Sequence, residues 1–280
     1  MMPAMASRQI VAGRTCVVTG AGSGIGRALA QRLAGQDCPV AICDWDEDGL
    51  RDTEATIAGP VLAKKLDVRD RGAQMAFASE VAEWAPAPFG MVVCNAGVTV
   101  SQLAAEAAPE DDEWVMDVNF WGVIHGTRAF LPILLEQGSG AIVNISSVFG
   151  LIGFPSQSAY CASKHAVRGY TESLRHELRS SGVTAVAVHP GGIQTNIVRH
   201  SRFHKDDQGN TDRTVLEREF DNIARTSPTK AAQTIQDGVE KGKGRILIGP
   251  DAAMLAGLLR MAPVSYYSVM KRLEPLVRRS

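Results

Sequence analysis

Tyr160 and Lys164 lie four residues apart in a segment with a helical pattern, and the pair has the chemistry of an acid–base site. Residues at positions i and i+4 share one face of a helix, so we expect the Lys164 ammonium near the Tyr160 phenol. A phenol with a pKa of about 10 is a poor base at neutral pH, but a neighbouring cation favours the phenolate and lowers that pKa. Surface pairs with this spacing are common, but Ser147, which follows a predicted strand thirteen residues before Tyr160, favours a functional pair.

A glycine-rich segment, Thr19–Gly26, joins the first predicted strand directly to a helix. Glycine lets backbone N–H groups approach a ligand closely, and the partial positive charge of a helix N-terminus favours phosphate. Asp44 ends the second predicted strand 18 residues beyond Gly26, near the roughly 20 residues expected for the acid that binds an adenosine ribose. The sequence therefore predicts a dinucleotide site whose pyrophosphate lies against Gly20, Ser23, Gly24, Ile25 and Gly26.

Asp44 also predicts NAD rather than NADP as the cofactor. A carboxylate accepts hydrogen bonds from ribose hydroxyls and repels a 2′-phosphate. An NADP site would need a basic side chain nearby, whereas Trp45 follows Asp44 and the glycine-rich segment has no basic residue before Arg27. NADP is the alternative cofactor.

Six motifs occur in order along the chain, and together they resemble the short-chain dehydrogenase/reductase family in its single-domain form. The resemblance extends from about Arg14 to Ile248. It implies hydride transfer between a nicotinamide cofactor and a substrate alcohol or ketone. The motifs are Thr19–Gly26, Asn95-Ala96-Gly97, Asn119, Ser147, Tyr160 with Lys164, and Pro190-Gly191.

The resemblance implies catalytic roles for four residues. Tyr160 would be the general acid/base that exchanges a proton with the alcohol or carbonyl oxygen, and Ser147 would hydrogen-bond that oxygen. Lys164 would lower the pKa of Tyr160 and bind the ribose hydroxyls on the nicotinamide side. Asn119 would hold a water in a proton relay through Lys164. Tyr160 and Lys164 are therefore also expected among the cofactor contacts.

The resemblance implies further cofactor contacts at three segments. Asp67 and Val68, after the third predicted strand, would contact the adenine. The turn Asn95-Ala96-Gly97 would stabilise the sheet and pass near the adenosine ribose. The loop Pro190–Thr195 would orient the nicotinamide carboxamide. Its contact positions would be Pro190, Gly191, Ile193 through its backbone, and Thr195 through its hydroxyl.

The elements that must position these residues alternate between short apolar runs and helical patterns. Several of the short runs contain apolar residues at successive positions, with little alternation between apolar and polar residues. This pattern is expected when both faces of a parallel sheet are covered. This predicts a doubly wound, Rossmann-type α/β fold, with a mostly seven-stranded parallel sheet and helices on both faces in a single domain. The predicted strands are Thr15–Thr19, Val40–Asp44, Val61–Leu66, Met91–Asn95, Ala141–Ser146, Thr184–His189 and Arg245–Ile248. The predicted helices are Ile25–Ala34, Glu47–Ile57, Arg71–Ala85, Asp112–Gln137, Ala159–Ser180 and Thr229–Lys241.

Residues 1–250 are predicted to form the dinucleotide-binding and catalytic domain. Within it, residues 191–228 are long and polar, which is typical of a lid or substrate-binding loop. Residues 251–280 form an amphipathic basic tail. A lid, a subunit contact and peripheral membrane contact are open alternatives for this tail.

The substrate is expected to be a hydrophobic secondary alcohol or ketone, because an apolar stretch follows Ser147. That stretch contains Val148, Phe149, Leu151, Ile152 and Phe154. Because the stretch Arg199–Lys205 is basic, an acidic substrate is an alternative. The predicted function is thus an NAD-dependent oxidoreductase. The alternatives are an NADPH-dependent ketoreductase and a non-catalytic dinucleotide-binding regulatory protein, and the complete catalytic set argues against the latter.

The composition limits other classes of function. Lys+Arg 29 against Asp+Glu 30 gives a net charge of −1 over 280 residues, which argues against overall electrostatic binding of nucleic acid. No apolar run approaches the roughly 18 residues of a membrane span, and the first residues lack a secretory pattern. Five cysteines without a Cys-x-x-Cys pair favour a reducing cytoplasm.

Two further expectations concern metals and subunits. No metal site is predicted, because His200 and His204 lie in a polar segment that favours a solvated lid over a zinc site. Family members commonly pair helices between subunits, so the resemblance implies a homodimer or homotetramer.

Overall fold

The computed structural model describes residues 10–277 except residues 200 and 207, and a seven-stranded parallel sheet forms its centre. The strand order is β3-β2-β1-β4-β6-β7-β9. The predicted doubly wound α/β fold is confirmed. The strands are β1 (Thr15–Thr19), β2 (Val40–Asp44), β3 (Val61–Lys65), β4 (Phe89–Cys94), β5 (Val100–Ser101), β6 (Gly140–Ile145), β7 (Val183–Pro190), β8 (Arg202–Phe203) and β9 (Arg245–Ile248). The helices are α1 (Gly24–Ala34), α2 (Glu47–Glu54), α3 (Arg71–Trp84), α4 (Pro109–Met116), α5 (Gly122–Gln137), α6 (Ser158–Glu177), α7 (Arg213–Ile223), α8 (Pro228–Glu240), α9 (Pro250–Met261) and α10 (Tyr266–Val277).

Both faces of the sheet are covered, which explains why the central strands are apolar at successive positions. In β1, Val18 packs into the core on the α1 and α8 side, while Val17 packs into the core on the opposite side. That second core contains Phe77 from α3 and Phe130 from α5, whose rings meet edge to face. Alternate side chains of one strand thus enter two different cores, so both faces of the strand favour apolar residues.

The helix predicted over Asp112–Gln137 is not continuous. The chain forms α4, then a π-helical turn over Asp117–Trp121, then α5. Asn119 lies in this turn, and its amide both accepts from Val98 N (2.8 Å) and donates to Val98 O (2.9 Å). A π turn inserts one residue into the helical repeat, and apolar periodicity does not reveal a single insertion.

The segment 191–228, predicted as a loop, contains regular structure. β8 pairs in parallel with β5, and α7 begins after Asp212, whose carboxylate accepts from Thr214 N at 2.9 Å. The two strands are two residues long, which is too short to show an alternating pattern. The basic stretch therefore includes a strand that is attached to the main domain.

The predicted tail after residue 250 forms α9 and α10. Pro250 occupies the first turn of α9, where its missing N–H costs no intrahelical hydrogen bond. Met261 and Val264 are 81% and 92% exposed. Arg278 and Arg279, part of the predicted basic tail, lie outside the described residues. Among the helices that are described, none has both the length and the apolar character to cross a membrane.

Candidate active site

The glycine-rich segment after β1 forms a tight turn into α1. Gly20 has φ +67°, and a Cβ at this position would lie 2.7 Å from Ala96 Cα. A Cβ at Gly26 would lie 2.1 Å from the carbonyl oxygen of Gly20. Ser23 precedes α1 and makes no side-chain cap, and the first turn of α1 carries no acidic residue. The turn therefore presents a helix N-terminus whose first N–H groups are available to an anion.

Asp44 lies at the carboxyl end of β2, against this turn. Its Oδ2 accepts from Gly22 N at 2.7 Å, and its Oδ1 accepts from Asp46 N at 3.0 Å. Burial raises the pKa of Asp44 above its usual value, and the backbone hydrogen bonds oppose that rise. The carboxylate is thus fixed between the glycine turn and the start of α2.

The turn Asn95-Ala96-Gly97 follows β4 and packs directly on the end of β1. The hydroxyl of Thr19 accepts from the backbone N–H groups of Asn95 (3.0 Å) and Ala96 (3.1 Å). The Asn95 amide donates to Thr19 O and Gly20 O at 2.9 and 3.0 Å. β1 and β4 are neighbours in the sheet, so their carboxyl ends bring the two predicted cofactor segments together.

Three of the predicted site residues converge beyond this turn. A Cβ at Gly97 would lie 3.2 Å from both Asn119 Oδ1 and Lys164 Nζ. Lys164 is 2% exposed, and its Nζ donates to Ile145 O at 3.1 Å. At Gly97 the π turn, α6 and the end of β4 therefore approach one another closely enough that a Cβ would crowd both side chains.

Ser147 and Tyr160 lie on the other side of Lys164. Ser147 follows β6, and its Oγ accepts from Phe149 N at 3.1 Å. The Lys164 Nζ lies 5.7 Å from the centre of the Tyr160 ring, so the predicted pairing on one face of α6 is present. Phe149 meets the Tyr160 ring edge to face at 6.2 Å and stacks on Phe154 at 5.0 Å.

Burial determines the protonation of this pair in the structure. It raises the pKa of Tyr160 to about 12, against an opposing hydrogen bond with Ser147. Burial also lowers the pKa of Lys164 to about 8. The lowering of the Tyr160 pKa expected from Lys164 is thus absent here, because the cost of charging the buried phenol dominates. The Lys164 ammonium is itself costly to charge in this buried position.

Asp67 and Val68, the predicted adenine contacts, lie after β3 in two different environments. Arg69 donates to Asp67 through Nε (2.9 Å) and through a second guanidinium nitrogen (2.6 Å). This hydrogen bond lowers the pKa of Asp67 below its usual value. Val68 is buried, and its carbonyl accepts from the Gln74 amide at 2.5 Å. The Asp67 carboxylate is thus already paired with a cation.

The loop Pro190–Thr195 follows β7 and crosses the site beside α1. Gly191 N donates to Ile248 O at 2.9 Å, Ile193 is buried, and a Cβ at Gly24 would lie 3.1 Å from Thr195 Cγ2. The close approach of Gly24 to Thr195 brings the predicted phosphate and carboxamide segments together. A surface groove of about 250 Å³ lies beside this contact, and it is lined by α1, by Gln194–Asn196 and by the start of α8.

Several residues beside the site were not identified from the sequence. His189 in β7 is fully buried, its Nδ1 lies 3.0 Å from Ser147 O, and burial lowers its pKa to about 4. Asp251 in α9 accepts from Gly192 N at 2.7 Å. Neither has a motif, because each contact joins residues far apart in the chain.

The polar segment before α7 is attached to α4 through Asp111. Asp111 accepts from Arg202 (2.7 Å), and His204 Nε2 lies 2.6 Å from its other oxygen. The Arg202 guanidinium stacks 3.9 Å from the centre of the Trp114 ring. His200 lies outside the described residues, and the part of the chain that is described contains no group of three or more potential metal ligands.

Comparison with known proteins identifies the family. The family model for short chain dehydrogenase matches residues 14–206. The chain is 42% identical over 262 residues to the putative oxidoreductase SadH of Mycobacterium tuberculosis, covering 91% of this chain and 92% of that protein. It is 39% identical over 189 residues to 2-dehydro-3-deoxy-L-rhamnonate dehydrogenase (NAD(+)) of a Sphingomonas species, covering 67% of this chain and 75% of that protein.

Comparison with solved structures supports the same family. A short-chain dehydrogenase/reductase from Burkholderia phymatum in complex with NAD matches with a TM-score of 0.79 and 30% identity, over 90% of this chain and 94% of that one. Levodione reductase matches with a TM-score of 0.76 and 28% identity, over 87% of this chain and 98% of that one. The chain belongs to the short-chain dehydrogenase/reductase family of oxidoreductases.

Proposed function

We propose that this short-chain dehydrogenase/reductase is an NAD-dependent enzyme that transfers a hydride between nicotinamide and a hydrophobic secondary alcohol or ketone. The observation that carries the proposal is the convergence of Tyr160, Lys164, Asn119 and Ser147 beside the glycine turn. A non-catalytic dinucleotide-binding protein would not need all four of these side chains in one place.

The glycine turn and α1 fit the cofactor. The close contacts at Gly20 and Gly26 leave no room for a Cβ, and the start of α1 has neither a side-chain cap nor an acidic residue. The structural neighbour from Burkholderia phymatum was solved with NAD. When bound, the nicotinamide supplies the carbon that accepts or gives up the hydride.

Tyr160 and Ser147 would manage the proton at the substrate oxygen. A buried phenol with a raised pKa is protonated at neutral pH, so Tyr160 is ready to donate to a carbonyl oxygen in the reducing direction. Ser147 keeps its hydroxyl beside that phenol and fixes the same oxygen. Lys164, together with a water held by Asn119, would then carry the proton away from or toward Tyr160.

Asp44 supports NAD over NADP. Its carboxylate is held by Gly22 N at the point where the adenosine ribose would lie, and a 2′-phosphate there would meet a negative charge. Lys65, opposite Asp44 in the register of β2 and β3, pairs with Glu47 at 3.0 Å. Arg27 donates to Gly22 O and Gly49 O. Both nearby cations are therefore engaged with other acceptors.

The aromatic group beside Tyr160 supports a hydrophobic substrate. Phe149 and Phe154 stack with an interplanar angle of 11° and present rings next to the phenol. An apolar substrate would gain from burial against these rings, at roughly 25 cal/mol per Å² of apolar surface.

The first test measures absorbance at 340 nm with NAD and NADP separately, against secondary alcohols from short aliphatic to alicyclic and steroidal. We expect reduction of NAD with an apolar alcohol class. Tyr160→Phe should abolish turnover and retain NADH binding, because the ring remains and only the hydroxyl that exchanges the proton is lost. Tyr170→Phe, on the same helix, is the matched control and should keep turnover.

Three outcomes would contradict parts of the proposal. Turnover in Tyr160→Phe would refute the acid–base role. Activity with NADP alone would refute the argument from Asp44 and leave the catalytic assignment standing. A wild-type chain that binds NADH and turns over no alcohol of the panel would favour the regulatory alternative.

A further inference from the structure

The loop Pro190–Thr195 is restrained from two sides. On one side, Gln194 N donates to Thr226 O at 3.0 Å, and Thr226 N donates to Gly192 O at 3.3 Å. On the other side, Gly192 N donates to the Asp251 carboxylate at 2.7 Å. Asp251 belongs to α9, so a helix of the predicted tail reaches the loop that the family resemblance places at the nicotinamide.

Glycines surround the Asp251 carboxylate. A Cβ at Gly191 would lie 2.1 Å from its Oδ2, and a Cβ at Gly249 would lie 2.3 Å from its Oδ1. Gly192 supplies the N–H donor. The backbone at Gly191 and Gly249 thus approaches the carboxylate more closely than a side chain at either position would permit.

The carboxylate is directed at the loop and not at its own helix. The residue that caps α9 is Gly249, which has no side chain for capping. Within the described residues, the hydrogen bond that the Asp251 side chain accepts comes from Gly192 N. A hydrogen bond to an ionised acceptor is stronger than one between neutral groups. Adjacent glycines have the greatest backbone freedom, so this external restraint has a large effect on the loop.

We propose that Asp251 is a positioning residue that fixes the Pro190–Thr195 loop in the conformation that receives the nicotinamide end of the cofactor. The inference rests on the proposed function, since it assumes a nicotinamide cofactor bound against this loop. Asp251 contacts Gly191 and Gly192, while the glycine turn and Asp44 are held by separate hydrogen bonds. Loss of Asp251 should therefore weaken binding of the nicotinamide end and spare the adenosine and diphosphate end.

The test compares NADH with ADP-ribose, which has the adenosine, the diphosphate and the second ribose but no nicotinamide. Dissociation constants are measured by calorimetry for the wild type, Asp251→Ala and Asp251→Asn. We expect Asp251→Ala to weaken NADH binding about tenfold, as for a lost charge-assisted hydrogen bond, and to change ADP-ribose binding by less than about twofold. Asp251→Asn retains an acceptor oxygen and should restore part of the NADH affinity.

A second readout is independent of the cofactor. Hydrogen exchange of the Gly192 amide should be faster in Asp251→Ala than in the wild type, because its acceptor is gone. Asp237→Ala is the matched control, since Asp237 is also half-buried but lies on α8 near Arg32. It should leave the ratio of NADH to ADP-ribose affinity unchanged.

Equal weakening of NADH and ADP-ribose in Asp251→Ala would overturn the inference, because it would show a general loss of structure. Unchanged NADH affinity would overturn it as well. A wild-type chain that binds neither ligand would instead contradict the proposed function, and with it the inference. The ADP-ribose measurement separates these failures and also checks that each variant is folded.

Discussion

Replacing Lys164 with Met should change how the stability of the protein depends on pH. Lys164 is 2% exposed, and burial lowers its pKa from 10.5 to about 8. Between these two values the unfolded chain holds a proton on this lysine and the native state does not. Stability therefore rises with pH across this window in the wild type, and the gain is lost as the pH falls through 8. Lys164→Met has no such proton.

The magnitude follows from the two pKa values. A fall from 10.5 to about 8 corresponds to about 3 kcal/mol at about 1.36 kcal/mol per pKa unit. Most of this, about 2–3 kcal/mol, should appear between pH 7 and pH 10. The substitution also leaves Ile145 O without its donor, which costs about 1–3 kcal/mol at every pH. Only the pH-dependent part isolates the buried charge.

The assay is urea unfolding of wild type and variant at pH 7, 8, 9 and 10, taking the difference in unfolding free energy at each pH. Groups common to both proteins cancel in this difference. Lys243→Met is the matched control, since Lys243 is exposed and its ammonium stays in water in both states. We expect any advantage of Lys164→Met over the wild type to shrink by about 2–3 kcal/mol as the pH rises from 7 to 10, and we expect no comparable change between Lys243→Met and the wild type.

A difference between wild type and Lys164→Met that does not change with pH would refute this reasoning. It would mean that water or an anion reaches the ammonium in the native state. The account of the site as one that disfavours both the phenolate and the ammonium would then fail as well.

Two other substitutions test the parts that hold the site. Gly26→Ala places a Cβ 2.1 Å from Gly20 O, so NADH binding measured by fluorescence should be lost. Gly257→Ala is the control, since its added Cβ meets open space, and it should bind NADH normally. Normal NADH binding by Gly26→Ala would show that the turn can relax. Arg202→Ala removes one partner of the buried Asp111 carboxylate and should cost about 1–3 kcal/mol in urea unfolding at pH 7. Burial acts to raise the pKa of Asp111, but hydrogen bonds from Arg202 and His204 hold that pKa below its usual value. The loss of unfolding free energy in Arg202→Ala should therefore diminish as acid protonates the carboxyl. An equal loss at pH 3 and pH 7 would contradict this account.

The sheet could be predicted because the central strands are buried on both faces and therefore appear in the sequence as short apolar runs. The bounds predicted for β1, β2 and β9 coincide with those in the structure. The π turn could not be predicted, because Asn119 is fixed there by tertiary hydrogen bonds to Val98 and not by a local pattern. β5 and β8 were missed for the same reason, since their two-residue pairing depends on contacts about one hundred residues apart.

The candidate site residues were predicted from motifs, but no motif predicts the raised pKa of Tyr160. Spacing places an ammonium beside the phenol, and in water this would lower the phenol pKa. Spacing does not reveal how deeply both groups are buried, and burial reverses the direction for Tyr160. A sequence argument about a pKa therefore needs the local dielectric as well as the neighbouring charge.

The location of the site follows from the strand order. The crossovers reverse direction between β1 and β4, and a ligand cleft forms at the carboxyl edge of the sheet at such a point. Each strand that borders the cleft then contributes residues just after its carboxyl end. These residues are Gly20 after β1, Asn95 after β4, Ser147 after β6 and Gly191 after β7. The same rule applies to β9, which ends at Ile248, three residues before Asp251. Asp251 in the predicted tail thus lies at the site because β9 is parallel to the strands that carry the motifs. The tail has no motif of its own.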